Sequence, residues 1–439
     1  MNQSKKRKPE QNTITNIAWE DLFERYNIIE NVKENGFFRI KAKEIKEVRE
    51  PRLMAKFDHK RNLPYIFKEN DLSILPISRS EYVIGEFNVF QKVKYNIKSP
   101  QIVDTPSHLT TIDPTNLYSE SSALHCASVS GMINNLLGEE AEQTVSGRMS
   151  SKEFDFKVST KNGRDKLINI KNSQIEIDGG FESDSYFLIV EAKKETVDDF
   201  LIRQLYYPYR LWERQTNKKV RPVFFTHSND VFSFFIYEFT DLEKYNSLQL
   251  IEQKHYTFTH DEIELEELLC ICESVPIVDE PKISFPQANN IIRLLDLLEK
   301  LVDNDIARDM ITLTYDFDVR QTSYYTDAGR YLGLIEKYKI KVPKQRSVIM
   351  FRLTTEGKRV MQLSHKEKRL SIVSKILEHK PFNLSFKRYI EKLERPSKQE
   401  VAEILQECNI YNVKSWDTFE RRASTVLSWI DWILQLQNE

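Results

Sequence analysis

Cysteine is scarce in this chain: four residues in 439, namely Cys126, Cys270, Cys272 and Cys408. Only Cys270 and Cys272 are near neighbours, and as Cys-Ile-Cys they lack the two-residue spacing of a metal or redox pair, so the thiols are expected to be buried or incidental. No apolar run approaches the roughly 18 residues needed to cross a bilayer, and no secretory leader is read ahead of the first amphipathic segment. The expectation is a soluble, cytoplasmic protein with no membrane partner. Disorder-prone composition is confined to residues 1–13 (MNQSKKRKPEQNT), which read as a flexible basic arm, while 40% apolar and 11% aromatic content over the chain suffices for packed cores. Net charge is almost absent, at −2. The balance hides an asymmetry: residues 281–439 hold 27 Lys and Arg against 21 Asp and Glu, leaving 37 against 45 for residues 1–280. A basic C-terminal part joined to an acidic remainder suits a protein that grips nucleic acid with one part and acts on it with the other.

A chain of this length is expected to hold two to four domains. After the arm, residues 14–100 read as an N-terminal accessory module with an amphipathic helix around Trp19–Tyr26 and a strand-like run over Leu72–Phe90. Arg52, Lys56, Lys60, Arg61 and Arg79 are there to meet phosphates or simply to solvate the surface. Pro100–Pro114 reads as a linker, inside which a second segment begins, spanning 105–278; 285–364 and 365–439 follow as two mainly helical segments.

Most of the chemistry lies in Gln174–Lys194, QIEIDGGFESDSYFLIVEAKK. Two apolar runs flank a polar turn, the signature of a β-hairpin. A turn centred on Asp184 and Ser185 pairs position 178 with 191 and 176 with 193. Opposed residues on one face lie about 4.5–5.5 Å apart at Cβ, close enough for Asp178 and Glu191 to share a divalent cation. Glu176 and Lys193 are expected beside them on the same face. Tyr186–Val190 is apolar on both faces, as a central strand requires. The alternative is an exposed hairpin with incidental Glu/Lys pairs.

Asp178 followed by Glu191-Ala192-Lys193 at the end of a hydrophobic strand resembles the core motif of the PD-(D/E)XK nuclease superfamily; the Pro that often precedes the first acid is Ile177 here. The resemblance implies a mixed α/β (α+β) fold with a restriction-endonuclease-like core, a mixed central sheet flanked by helices. It implies Mg²⁺ held by Asp178, Glu191 and the Ala192 carbonyl, with Lys193 orienting the attacking water or stabilising the transition state. In that superfamily the helix before the sheet often donates another carboxylate, which makes Glu120 a candidate, N-terminal capping being the alternative. His125 on the same helix reads as a packed histidine. Thr144–Ser151 reads as a loop entering the first strand of the sheet, Glu153–Val158, and in it Arg148 and several hydroxyls suit phosphate. The Gln-Tyr pattern of a helix expected over Thr196–Gln215 resembles a motif of several branches, so Gln204 and Tyr207 are candidates to reach back to the site, packing being the alternative. Val220–Thr226 and Val231–Phe239 read as further strands.

From Phe285 the periodicity becomes helical. Asn289–Val302, Ile306–Asp316 and Val319–Leu332 read as helices, Ile335–Leu353 as strand, basic tip and strand, and Thr354–Leu363 as one more helix. The unit resembles a winged helix, with Arg320, Gln321, Ser323, Tyr324 and Arg330 on the presumed recognition helix and Lys341, Lys344 and Arg346 among the basic residues of the wing. A second such unit is expected over 365–439, with Ser397 capping a helix to Leu405, then Trp416–Leu434, on which Arg421 and Arg422 mark one side. Paired units of this kind resemble those attached to some restriction enzymes; a dimerisation or packing module is the alternative.

The reading preferred on these grounds is a Mg²⁺-dependent type II restriction endonuclease acting on double-stranded DNA, with a DNA methyltransferase as genetic partner and homodimerisation left open. A winged-helix regulator without catalysis and a structure-specific repair nuclease are the alternatives.

Overall fold

The computed structural model describes residues 14–96, 100–114, 117, 119–258, 263–314, 319–341, 347–363 and 365–438. The arm 1–13 and two of the wing candidates, Lys344 and Arg346, lie outside the described residues. The protein is mixed α/β and divides into two units: residues up to His227 with Val231–Tyr256, and Ser228–Asp230 with Thr257 onward. Residues 14–96 fall in the first unit together with the central sheet.

The first unit opens on the helix Ile14–Arg25, whose Trp19, Leu22 and Phe23 recur at helical spacing and are buried. Trp19 and Phe23 meet the ring of Phe67 edge-on, at centroid distances of 4.8 and 5.1 Å. They pack against a small antiparallel sheet of β1 (Phe38–Lys41), β2 (Ser73–Pro76) and β3 (Glu81–Gly85), in the order β1-β3-β2. The run Leu72–Phe90 is thus β2, a turn, β3 and the start of β4 (Phe90–Lys92).

Among the described residues ten more strands follow in the first unit: β5 (Gln101–Ile102), β6 (Glu142–Ser150), β7 (Glu153–Ser159), β8 (Asp165–Lys171), β9 (Gln174–Glu182), β10 (Tyr186–Lys193), β11 (Asp199–Leu201), β12 (Lys219–Ser228), β13 (Val231–Phe239) and β14 (Leu248–Thr257). Seven of these strands form one mixed sheet in the order β5-β14-β13-β12-β10-β9-β6. β10 lies inside it, antiparallel to β9 and parallel to β12, which explains its two apolar faces. Burying Phe187, Leu188, Ile189 and Val190 contributes about 1.5–3 kcal/mol for each side chain.

Four local expectations change. Thr144–Ser151 is not a loop: it falls almost wholly within β6, paired to β9 from Glu142 opposite Glu182 to Ser150 opposite Gln174. Its hydroxyl-rich sequence is tolerated because β6 is an edge strand, with only Val145 and Met149 against the core. Glu153–Val158 is not the first strand of the central sheet but pairs with β8 as a separate hairpin. The helix expected over Thr196–Gln215 is confined to Arg203–Trp212, because β4 captures Asp199–Leu201 as β11. The strand β14 has no counterpart in the sequence reading.

In the second unit, helices Leu265–Ser274 and Ile291–Asp303 precede β15 (Ile306–Ala307), helices Arg308–Thr314 and Val319–Tyr331, and the antiparallel pair β16 (Ile335–Ile340) and β17 (Val348–Leu353). β15 pairs with the middle of β17, at Met350 and Phe351. Leu265–Ser274 lies within the segment read as 105–278, and its Leu268 and Cys272 enter the core of this unit. Helices Thr355–Met361, His365–Leu377, Lys380–Lys392, Lys398–Glu407 and Trp416–Gln435 complete it. Among the described residues 365–438 form no strand, so the second segment lacks the strand pair of a wing. One continuous hydrophobic cluster runs from Ile263 to Leu436 and includes Phe285, Tyr331, Phe382 and Trp429, so the two C-terminal segments share a core.

Candidate active site

The β9–β10 hairpin has the expected register. Phe187 opposes Glu182 and Val190 opposes Gly179, the pairing set by a turn at Asp184–Ser185. The paired residues stop there: the Ala192 amide donates to the Asp178 carboxylate (Oδ2, 2.8 Å). Asp178 is therefore clamped to the strand that carries the other two motif residues. Glu176 does not join Lys193 but sits opposite Arg148 on β6 and pairs with it at 3.2 Å.

Glu191 and Lys193 follow Phe187 and Ile189 on one face of β10, as the alternation of a strand dictates. Phe187 and Ile189 belong to a core cluster with Ile202 and Leu205, so this face is covered by the segment that enters helix Arg203–Trp212. Gln204 on that helix donates from Nε2 to Glu191 Oε1. Lys193 Nζ donates to the same oxygen at 2.6 Å and to the Ala192 carbonyl at 3.1 Å. Tyr207 does not reach the site: its hydroxyl donates to the Pro76 carbonyl at 3.0 Å, an anchor for the N-terminal strands.

Glu120 arrives through a glycine. A Cβ at Gly179 would stand 2.6 Å from Leu124 Cδ2, so only glycine lets helix Glu120–Val129 settle on β9 beside Asp178. Leu124 is one turn beyond Glu120 and on the same helix face. The capping alternative for Glu120 falls to Ser119, whose side chain accepts from the Ser122 amide at 3.0 Å. His125 is exposed rather than packed.

Asp58 is the site residue that sequence reasoning missed. Helix Pro51–Met54 ends just before it, and its neighbours pin it: Phe57 is buried in the N-terminal core, and His59 Nδ1 lies 2.5 Å from the Asp199 carbonyl. The Lys60 amide donates to Asp199 Oδ1 at 3.0 Å, and Arg61 pairs with Asp198. The Asp58 charge acts on both Glu191 and Lys193. Its sequence sign was a single acid set between Phe57 and His59 in an otherwise basic run.

Charge and burial shape the site together. Burial pushes Glu191 up to about 7 against the opposing pull of Lys193. Burial likewise raises Asp178, countered by Lys193 and the Ala192 amide and reinforced by Glu120 and Glu176. Burial disfavours the Lys193 ammonium, but the carboxylates of Glu191, Glu120, Asp58 and Asp178 outweigh it and hold the lysine above its ordinary range. Among the described residues no three His, Cys, Asp or Glu side chains are grouped as a ready-made metal cage. The oxygen donors Asp178, Glu191 and the Ala192 carbonyl are of the hard type that suits Mg²⁺, which usually keeps several waters and takes only one or two carboxylates besides substrate phosphate. Two of those oxygens already hold a positive charge, the Lys193 ammonium.

The remaining candidates lie elsewhere. Arg148 is exposed on edge strand β6. In the second unit Arg320 and Lys341 are exposed, Gln321 and Tyr324 half-buried, Ser323 accepts from Arg308, and Arg330 pairs with Asp327 at 2.7 Å. Arg421 is exposed and donates to the Asp417 carbonyl and to Thr418. Arg422 is partly buried; burial and the neighbouring Arg421 lower its pKa, while Tyr324 opposes them, so helices Val319–Tyr331 and Trp416–Gln435 bring candidates from both expected segments together.

Three family models match the chain, each described as a domain of unknown function: DUF6996 over residues 16–84, DUF6997 over 85–257 and DUF7226 over 293–438. No curated protein and no solved structure matches it.

Proposed function

We propose that the chain is a Mg²⁺-dependent, sequence-specific endonuclease of double-stranded DNA, of the PD-(D/E)XK type II restriction kind. The observation that carries this reading is the convergence of Asp178, in the middle of β9, with Glu191 and Lys193 at the end of β10, with Gln204 on Glu191 and the Glu120 charge acting on Asp178 and Lys193. A buried acid–lysine cluster at the end of a central strand costs free energy unless it is paired or used.

Asp178, Glu191 and the Ala192 carbonyl would hold the cation. When bound, it supplies Lewis-acid polarisation of the scissile phosphate and a more acidic water. Lys193, kept protonated by its acidic neighbours, places a positive charge where the phosphorane gains negative charge. Gln204 fixes the Glu191 carboxylate, and Asp178 is fixed by the Ala192 amide, so both acids are oriented before substrate arrives.

The second unit supplies the grip in this reading. Its order of helix Ile291–Asp303, β15, two helices, β16 and β17 resembles a winged helix, with Val319–Tyr331 as recognition helix and Lys341 at the base of the wing. The test is digestion of methylated and unmethylated phage DNA with Mg²⁺. Discrete fragments are expected. Cutting confined to branched substrates would make it a repair nuclease, and DNA binding without cutting under any condition would leave a regulator.

A further inference from the structure

The N-terminal part of the chain is tied to the central sheet next to the acidic site, and the tie has a direction. β11 begins six residues after Lys193 and is held by β4. The loop after helix Pro51–Met54 docks onto β11 through His59, Lys60 and Arg61, two of these contacts falling on Asp199 alone. Residue 58 cannot shift freely, because Phe57 on one side is in a hydrophobic core and His59 on the other is buried.

The Asp58 carboxylate held in this way is incomplete. Its Oδ1 is shielded from solvent and accepts no hydrogen bond. An acceptor left so is destabilising, the more so when charged, unless something supplies the missing partner. On the site side, the Gln204 carbonyl oxygen is shielded and unpartnered as well, although its amide nitrogen serves Glu191. Two oxygens short of a donor, one on each of two separate chain segments acting on Glu191, are what a hydrated cation would satisfy.

We infer that Asp58 is a further carboxylate of the cation site, meeting the divalent ion directly or through one of its waters, so that residues 16–84 complete the active centre rather than merely adjoining it. The inference rests on the nuclease reading and extends it to a segment that the motif does not reach. It also gives the docking of His59, Lys60 and Arg61 on Asp198 and Asp199 a purpose, since that docking sets where Asp58 stands.

Mn²⁺ serves as the probe, its binding to the full chain followed by electron paramagnetic resonance, with cleavage measured in parallel. Asp58→Asn keeps the shape and removes the charge. It should weaken Mn²⁺ binding and slow cleavage by at least about tenfold while retaining the wild-type circular-dichroism spectrum. Mn²⁺ affinity and cutting at the wild-type level in Asp58→Asn would overturn the inference and leave the nuclease reading standing. A wild-type chain that neither binds Mn²⁺ nor cuts would overturn both. Should the variant not fold, the unaltered protein decides: Fe²⁺ with ascorbate and peroxide cleaves the backbone beside its binding site, and scission around residue 58 as well as around 178 and 191–193 is expected. Scission at the latter two alone would overturn the inference.

Discussion

Gln204 hydrogen-bonds through Nε2 to the same Glu191 oxygen that receives the Lys193 ammonium. The amide is neutral, so it orients the carboxylate without cancelling its charge. Gln204→Ala should therefore leave DNA affinity unchanged and lower single-turnover cleavage roughly 10–100-fold, as loss of an orienting partner does at metal sites. Cleavage at the wild-type rate would reduce the contact to helix packing.

Asp178→Ala, Glu191→Ala and Lys193→Ala should each abolish cleavage while gel-shift affinity for DNA stays near that of the wild type, because gripping is assigned to the other unit. A loss of at least about 10²-fold is expected for Lys193, whose charge is proposed to face the transition state. Retention of more than a small fraction of cutting by Glu191→Ala would remove the assignment.

Gly179→Ala should destabilise by about 1–3 kcal/mol, because the new methyl would lie 2.6 Å from Leu124 Cδ2 and 2.8 Å from the Phe181 ring. It should also lower activity by lifting helix Glu120–Val129, and with it Glu120, off β9. Adding Leu124→Ala should return part of both. Melting curves and cleavage rates of the two single variants and the double variant check this, and a double variant no better than Gly179→Ala would show that the contact does not set the helix.

His379 gives the second unit a pH dependence. It lies buried against the Tyr331 ring, centroids 4.2 Å apart, and burial with the nearby Lys375 lowers its pKa from 6.5 to about 4. The unfolded chain therefore binds a proton between those values that the folded chain refuses, so stability is full above pH 6.5 and falls as pH drops toward 4, by up to about 3 kcal/mol. His379→Gln should show a shallower decline of melting temperature between pH 7 and 5. Parallel curves would place the acid sensitivity elsewhere.

Reading and gripping should separate in the second unit. Gln321→Ala, at the start of the presumed recognition helix, should lower the preference for cognate over scrambled duplex by about 1–3 kcal/mol. Lys341→Ala should weaken binding to both and flatten the salt dependence by about one unit of slope. Competition titrations at two salt concentrations measure both. Loss of affinity without change in the cognate-to-scrambled ratio in either variant would move specificity to Arg421, Arg422 or the N-terminal residues.

Period-two and helical patterning in the sequence already fixed the hairpin of β9 and β10, its register, strands β12 and β13, and the succession of helices around Val319–Tyr331, since each follows from which residues must be buried on one face. Ser397 is the cap that its position implies, accepting from the Glu400 amide at 3.1 Å. Edge strand β6 and the short β11 were hidden because their pairing comes from distant segments and asks little of their own side chains. The residues proposed for catalysis, Asp178, Glu191 and Lys193, lay in one hairpin and could be read locally. Only the tertiary structure decided that Gln204 rather than Tyr207 meets Glu191, that Glu176 turns to Arg148, and that Asp58, 133 residues before Glu191, bears on it. Contacts between segments that far apart are set by packing at Gly179, Phe57 and His59, where shape and burial choose the neighbour and no local pattern records the choice.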